Sequence, residues 1–273
     1  MKKLRKAAVA GLFYPAEPGQ LSDQIKLLLS VSRPEGNFGN ISGIISPHAG
    51  YIYSGRTAAY GFNLLKNKNF RNVIILSPSH REYFPGACIY DGDGYTTPLG
   101  IVEINKEMAQ KIIEGSKTIF SGEQGHRQEH AIEVQVPFLQ TILQDFKIIP
   151  IVMGDQSKIF IDELANQLAK VIDKDTVIVA SSDMSHYYSK EKADELDSIV
   201  ENAVNNFEYN KLQEYLDSRV CEACGGGPIV AMMKASSLAN RKKSVVLNRS
   251  DSGDVTGDFN QVVGYLSAVI YGE

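Results

Sequence analysis

Cysteine is scarce in this chain, no apolar run is long, and neither sign of charge dominates. Three cysteines cannot all pair, which favours a reducing compartment. No apolar stretch approaches the ~20 residues that span a bilayer. The formal net charge of −4 offers no basic face for nucleic acid. The start, MKKLRKAAVAGLF, resembles a short export signal, with basic residues before small apolar ones. It runs straight into Tyr14-Pro15-Ala16-Glu17-Pro18 without a cleavage site, so we read it as part of the fold and the protein as cytoplasmic. No internal repeat, low-complexity tract or long linker divides the sequence, and one domain over residues 1–273 is expected.

What is present is ordinary globular material, 43% apolar and 22% charged, ordered as alternating strands and helices. Helical apolar spacing predicts helices over 20–30, 55–66, 106–114, 132–143, 159–172, 190–206, 209–216 and 228–239. Apolar runs predict strands ending near His48 and His80, and over 147–152, 176–181, 245–247 and 262–271. The Gly- and Tyr-rich stretch 87–100 reads as a β-excursion. This alternation predicts an α/β fold, a single domain with a mixed, largely parallel sheet flanked by helices.

All five histidines lie in short polar motifs, and three of these follow an apolar strand. His48 ends GIISPH, His80 ends VIILSPSH and His186 ends VIVASSDMSH. Ligands of open α/β sheets bind at the carboxyl ends of strands. Consecutive strands are often neighbours, so His48 and His80 are expected side by side, a pair of imidazoles that suits a divalent transition metal. A further strand, SVVL, leads into NRSDSGDVTGDF. Asp254 in that loop would complete two histidines and one carboxylate, the non-haem iron arrangement. Asp251 and Asp258 satisfy the spacing equally well.

HRQEHAIEVQV presents His126, Glu129, His130 and Glu133. It is not HExxH, so a zinc protease is excluded, and Glu129 and His130 read as acid–base or substrate groups. His126 reads as a surface loop residue. In SSDMSH, Asp183 stands three residues before His186, where a carboxylate orients an imidazole or caps a helix. The single CEAC is a weak zinc signal without a second pair and reads as buried and inert. The alternative for Cys224 is a thiol at a helix N-terminus, before GGGPIVAMMKA, where the thiolate is favoured.

AVAGLFYPAEP, SPHAGYIYSG, LSPSHREYF, EHAIEVQVPFLQ, SSDMSH, CGGGPI and SGDVTGDFNQVVGYLS together resemble the Memo family, over essentially the whole chain and in order. Its prokaryotic members are the Memo-like component of the AmmeMemoRadiSam system. The family is similar in fold to class III extradiol dioxygenases of the LigB type. The resemblance implies His48 and His80 as metal ligands and sets the third at Asp254, where animal members carry a cysteine. The thiolate associated with copper in those members would then be absent, and Fe(II) is the expected metal, with copper or zinc as alternatives. His186, His130, Asp183 and Glu129 are the expected catalytic groups, and Tyr51 and Tyr53 the substrate-binding ones. The setting implies a radical SAM protein and an AMMECR-type protein as partners. Two readings follow: a metal-dependent, dioxygenase-like oxidoreductase, or a non-catalytic module that holds a peptide or handles a metal in the same cleft.

Overall fold

The structure is a computed structural model that describes residues 2–273. In chain order it runs β1 (Leu4–Arg5), α1 (Pro18–Val31), β2 (Ile41–Ser46), α2 (Tyr51–Leu65), β3 (Asn72–Pro78), β4 (Ala87–Tyr90), β5 (Gly94–Thr97), β6 (Gly100–Glu103), α3 (Lys106–Ile113) and β7 (Ile119–Gly122). A turn of 3-10 helix, Glu133–Gln135, leads into α4 (Val136–Ile142) and then β8 (Lys147–Met153), α5 (Lys158–Ala169), β9 (Thr176–Ser181) and β10 (His186–Tyr188). The chain closes with α6 (Lys190–Asn205), α7 (Tyr209–Asp217), α8 (Gly226–Leu238), β11 (Lys243–Asp251), the short α9 (Gly253–Thr256) and β12 (Val262–Tyr271).

Nine strands form one mixed sheet in the order β10-β12-β2-β9-β3-β8-β4-β7, with β11 also paired to β12. Its centre, β2-β9-β3-β8, is parallel. Each central strand is apolar on both faces, because alternate side chains feed two separate cores. Ile44, Val73, Ile75, Val177 and Val179 point to the face covered by α1, α2 and α4. Ile45, Ile74, Leu76, Ile178 and Ala180 point to the face covered by α5, α6, α7 and α8. The 87–100 excursion divides: β4 joins the main sheet, while β5 and β6 form a small sheet with β1.

Two sequence expectations change at this level. β2 and β3 are not neighbours, since β9 lies between them. The loops after β2 and β3 therefore flank the end of β9, where Ser181 and Asp183 contact His48. The expected strand 245–247 is the middle of the longer β11, which pairs with β12 at the sheet margin. Both β2 and β11 run antiparallel to β12, so their carboxyl ends point the same way, but β12 separates them.

Candidate metal-binding site

His48 follows β2 and is 2% exposed, with its main-chain N–H donating to Asp183 Oδ1 at 2.7 Å. His80 follows β3, with its side chain open to solvent on one side. The two rings lie edge to face, 5.1 Å between centroids. His130 completes a knot of three imidazoles, 4.7 Å from His80 and 5.3 Å from His48.

The third donor beside His48 and His80 is Cys224. Its Sγ lies 3.2 Å from His48 Nε2, and donor atoms of His48, His80 and Cys224 all fall within 4.8 Å of one another. The preceding loop delivers the thiol by folding onto the end of β9. Cys224 N donates to Asp183 O at 3.2 Å, Gly225 N to Ser182 Oγ at 2.9 Å, and Gln156 Nε2 to Cys224 O at 2.8 Å. A Cβ at residue 225 would sit 2.2 Å from Ser181 O, so the approach requires glycine. Cys224 is therefore not the inert half of a buried pair.

Asp254 stands elsewhere. It is exposed on α9, and its Oδ2 accepts from Asp251 N at 3.3 Å. It joins no cluster of metal-capable side chains among the described residues. The expected Asp254 is therefore not placed beside His48 and His80, where Cys224 stands, because β12 lies between the 251–258 loop and the end of β2. Asp251, offered by spacing as a substitute, pairs with Lys190 at 2.6 Å, and Asp258 is exposed.

Glu129 is 1% exposed and grips His80 from behind. Its carboxylate accepts from His80 N at 2.7 Å and from His130 N and Ala131 N, each at 2.9 Å. It also meets His80 Nδ1 at 2.9 Å. A carboxylate only accepts, so His80 Nδ1 carries a proton, which in the neutral ring leaves the lone pair on Nε2. Burial alone would raise this carboxyl, yet the hydrogen bonds from His80 hold it down at about 2. Glu129 thus orients His80 from behind.

Asp183 has a different partner from the one expected. Its Oδ1 secures the His48 main chain rather than the His186 ring, and its Oδ2 lies 4.0 Å from His48 Nε2. Burial pushes this carboxyl above its ordinary value, against the hydrogen bond from His48. His186 begins β10 at a bulge whose next residue, Tyr187, has φ 63°, a conformation uncommon for a bulky side chain and enriched near functional sites. His186 faces, with Cys224, a cleft of roughly 420 Å³ that Gln156, Arg219 and Glu222 also line.

Tyr51 is buried, and its hydroxyl donates to Val134 O at 2.6 Å, so it belongs to the core and not to a substrate surface. Tyr53 is 40% exposed on the first turn of α2. His126, expected on a surface loop, is 1% exposed between Tyr95 Oη at 2.7 Å and Cys88 O at 3.0 Å. Arg5 pins the segment below the site: it pairs with buried Glu133, donates through Nε to His126 O at 3.1 Å, and donates to Glu129 O.

Burial holds the His48 imidazole down at about 3 and His130 at about 4, so both are neutral near pH 7. Burial also pushes the Cys224 thiol up. A bound cation would reverse the cost of the Cys224 thiolate, so the thiol could act as a donor only together with an ion.

The model of the Memo-like protein family matches residues 5–269. This chain belongs to the Memo family. A MEMO1 family protein of Thermoplasma volcanium is 37% identical over 267 residues, 97% of this chain and 98% of the relative. Another, from Methanosarcina barkeri, is 37% identical over 271 residues, 98% of this chain and all of the relative. Among solved structures, an uncharacterized protein of Escherichia coli K12 aligns with TM-score 0.59 at 14% identity, over 84% of this chain and 99% of that one. That likeness concerns the fold, the mixed sheet flanked by helices expected from the sequence.

Proposed function

We propose that this Memo family protein binds a divalent transition metal through His48, His80 and Cys224. The observation that carries the reading is the convergence of the three donors within 4.8 Å, with the His80 tautomer set by buried Glu129. Two imidazoles and a thiol suit copper, zinc or iron, and the thiol makes the set softer than the two-histidine, one-carboxylate set of iron oxygenases. A bound ion would supply Lewis acidity and orient a ligand oxygen.

The chain's own groups supply the rest. His130 is neutral and stacked on His80, in a position to take a proton from a bound ligand. Asp183 Oδ2 lies 4.0 Å from His48 Nε2. The cleft beside Cys224 and His186 matches a small molecule or a side chain in size. Oxygen-dependent oxidation of such a ligand is the reaction we infer, on the family's resemblance in fold to extradiol dioxygenases.

Metal analysis of anaerobically purified protein is the test. About one equivalent of metal per chain is expected, lost in His48→Ala and Cys224→Ala. Protein that takes up no copper, zinc or iron on reconstitution would sink the proposal. Oxygen uptake with catechol-like ligands then separates an enzyme from a binding module.

A further inference from the structure

His80 is oriented by a carboxylate, but His48 has no carboxylate on its ring nitrogen Nδ1. That nitrogen lies 2.9 Å from Ser181 Oγ at the end of β9. Ser181 and Gln135 are both buried, 0% and 1% exposed. Their hydrogen bonds are fixed at two ends by main-chain carbonyls, which only accept. Gln135 Nε2 approaches Pro47 O at 3.0 Å, so the amide nitrogen must face that way. The same nitrogen gives its second hydrogen to Ser181 Oγ at 2.8 Å. Ser181 has one hydrogen, and it goes to Ala131 O at 2.7 Å. The hydroxyl can therefore only accept from His48, which places the ring proton on Nδ1.

We propose that Gln135 and Ser181 are positioning residues that hold His48 in the Nδ1–H tautomer and so present the Nε2 lone pair to His80 and Cys224. A neutral imidazole takes the tautomer that its other hydrogen bond dictates. Had Ser181 turned its hydrogen towards the ring, Nε2 would carry the proton and point it at Cys224 Sγ, 3.2 Å away. The two metal-facing histidines are thus prepared by different means, a charged acceptor behind His80 and a neutral relay behind His48. The relay also ties the loop before His48, through Pro47, to the turn that carries Gln135. The consequence for metal affinity rests on the proposed function; the tautomer itself does not.

Long-range proton–nitrogen correlation spectra of isotope-labelled, metal-free protein near neutral pH report which ring nitrogen is protonated. His48 should show a protonated Nδ1 and a bare Nε2. His126, whose Nε2 faces Cys88 O, should show the opposite tautomer and serves as the internal control for an intact fold. In Ser181→Ala the His48 proton should shift towards Nε2, while the His126 signals stay in place. Zinc affinity should fall about 10- to 100-fold in that variant. Gln135→Met, which leaves the Ser181 hydroxyl, should fall between wild type and Ser181→Ala. A wild-type His48 with its proton on Nε2 would overturn the assignment, as would a Ser181→Ala protein with unchanged tautomer and affinity. A Gln135→Met protein indistinguishable from wild type would remove Gln135 from the relay. Correct tautomers in a protein that binds no metal would leave the relay standing and defeat the metal-site proposal instead.

Discussion

Two loops at the same end of the sheet, 221–228 and 251–258, look alike as sequence. Each is short, rich in glycine and carries a metal-capable side chain. The first turns Cys224 towards His48, whereas the second leaves Asp254 on the surface. What separates them is lateral position. The 221–228 loop leads into α8, which packs on β2, β3 and β9, so its start falls over the centre of the sheet. The 251–258 loop joins β11 to β12 at the margin. A strand end is a common place for a site, but the order of strands decides which strand ends share one.

The largest difference between the two regions should be in stability. Arg5 and Glu133 form a buried pair under the cluster, and Glu133 also accepts from Ala8 N at 2.7 Å and Val9 N at 3.0 Å. Glu133→Ala strands a buried guanidinium and two main-chain donors, and should cost about 3–5 kcal/mol. Near the second loop, Lys190 pairs with Asp251 but stays 36% exposed. Lys190→Ala should cost less than about 1 kcal/mol. Urea denaturation of both variants makes the comparison, and equal costs would break it.

Metal affinity comes next. Cys224→Ala should weaken zinc binding by about two orders of magnitude, while Asp254→Ala stays within about twofold of wild type. Titration of the metal-free proteins against a competing chelator reads both. The reverse ranking would restore the carboxylate and discard the thiol.

Acid should then act on the cluster through His48. Its ordinary value of 6.5 falls to about 3 in the fold, through burial first and the nearby His80 second. Between those values the unfolded chain binds the extra proton and the folded one does not. The stability tied to a neutral His48 is therefore complete above about pH 6.5 and is lost as pH falls. From about pH 7 to about pH 5, metal-free wild type should lose about 2 kcal/mol more than His48→Gln. Asp197, which burial raises and whose contribution runs the other way, largely cancels in that difference. Parallel stability–pH curves for the two proteins would show that His48 is not buried as described.

The fold was legible because its signals are local and repeated. Runs such as Val73 to Leu76 and Val177 to Ala180 declare buried parallel strands, and α1, α5 and α6 show their apolar stripes plainly. His48 and His80 were legible as strand-end histidines for the same reason. Cys224 was not, because its placement depends on Gly225 touching Ser181 and on α8 crossing the sheet centre, contacts between residues more than forty positions apart. The clue in the sequence is the GGG that follows it, which marks close backbone approach as readily as a turn. Strand order is similarly invisible: nothing within β2 or β3 says that β9 will slide between them. Glu129 and Asp183 were found as polar residues near histidines, but the partner of each was set by that same hidden order.

The finest difference separates two tyrosines on one turn of α2. The motif SPHAGYIYSG offers Tyr51 and Tyr53 as equals, but a helix turns residues two apart to different faces. Tyr51 is 3% exposed, packs 4.9 Å from the Phe138 ring and donates to Val134 O, whereas Tyr53 stands at the surface. Tyr51→Phe keeps the ring and orphans one buried carbonyl, and should lower stability by about 1 kcal/mol without changing zinc affinity. Tyr53→Phe should leave stability within about 0.5 kcal/mol of wild type, as surface substitutions do. Since Val134 directly precedes Gln135, loss of the Tyr51 hydroxyl also tests how tightly that turn is held. A Tyr51→Phe protein of full stability but weakened zinc binding would mean that the hydroxyl serves the site through Gln135 rather than the core.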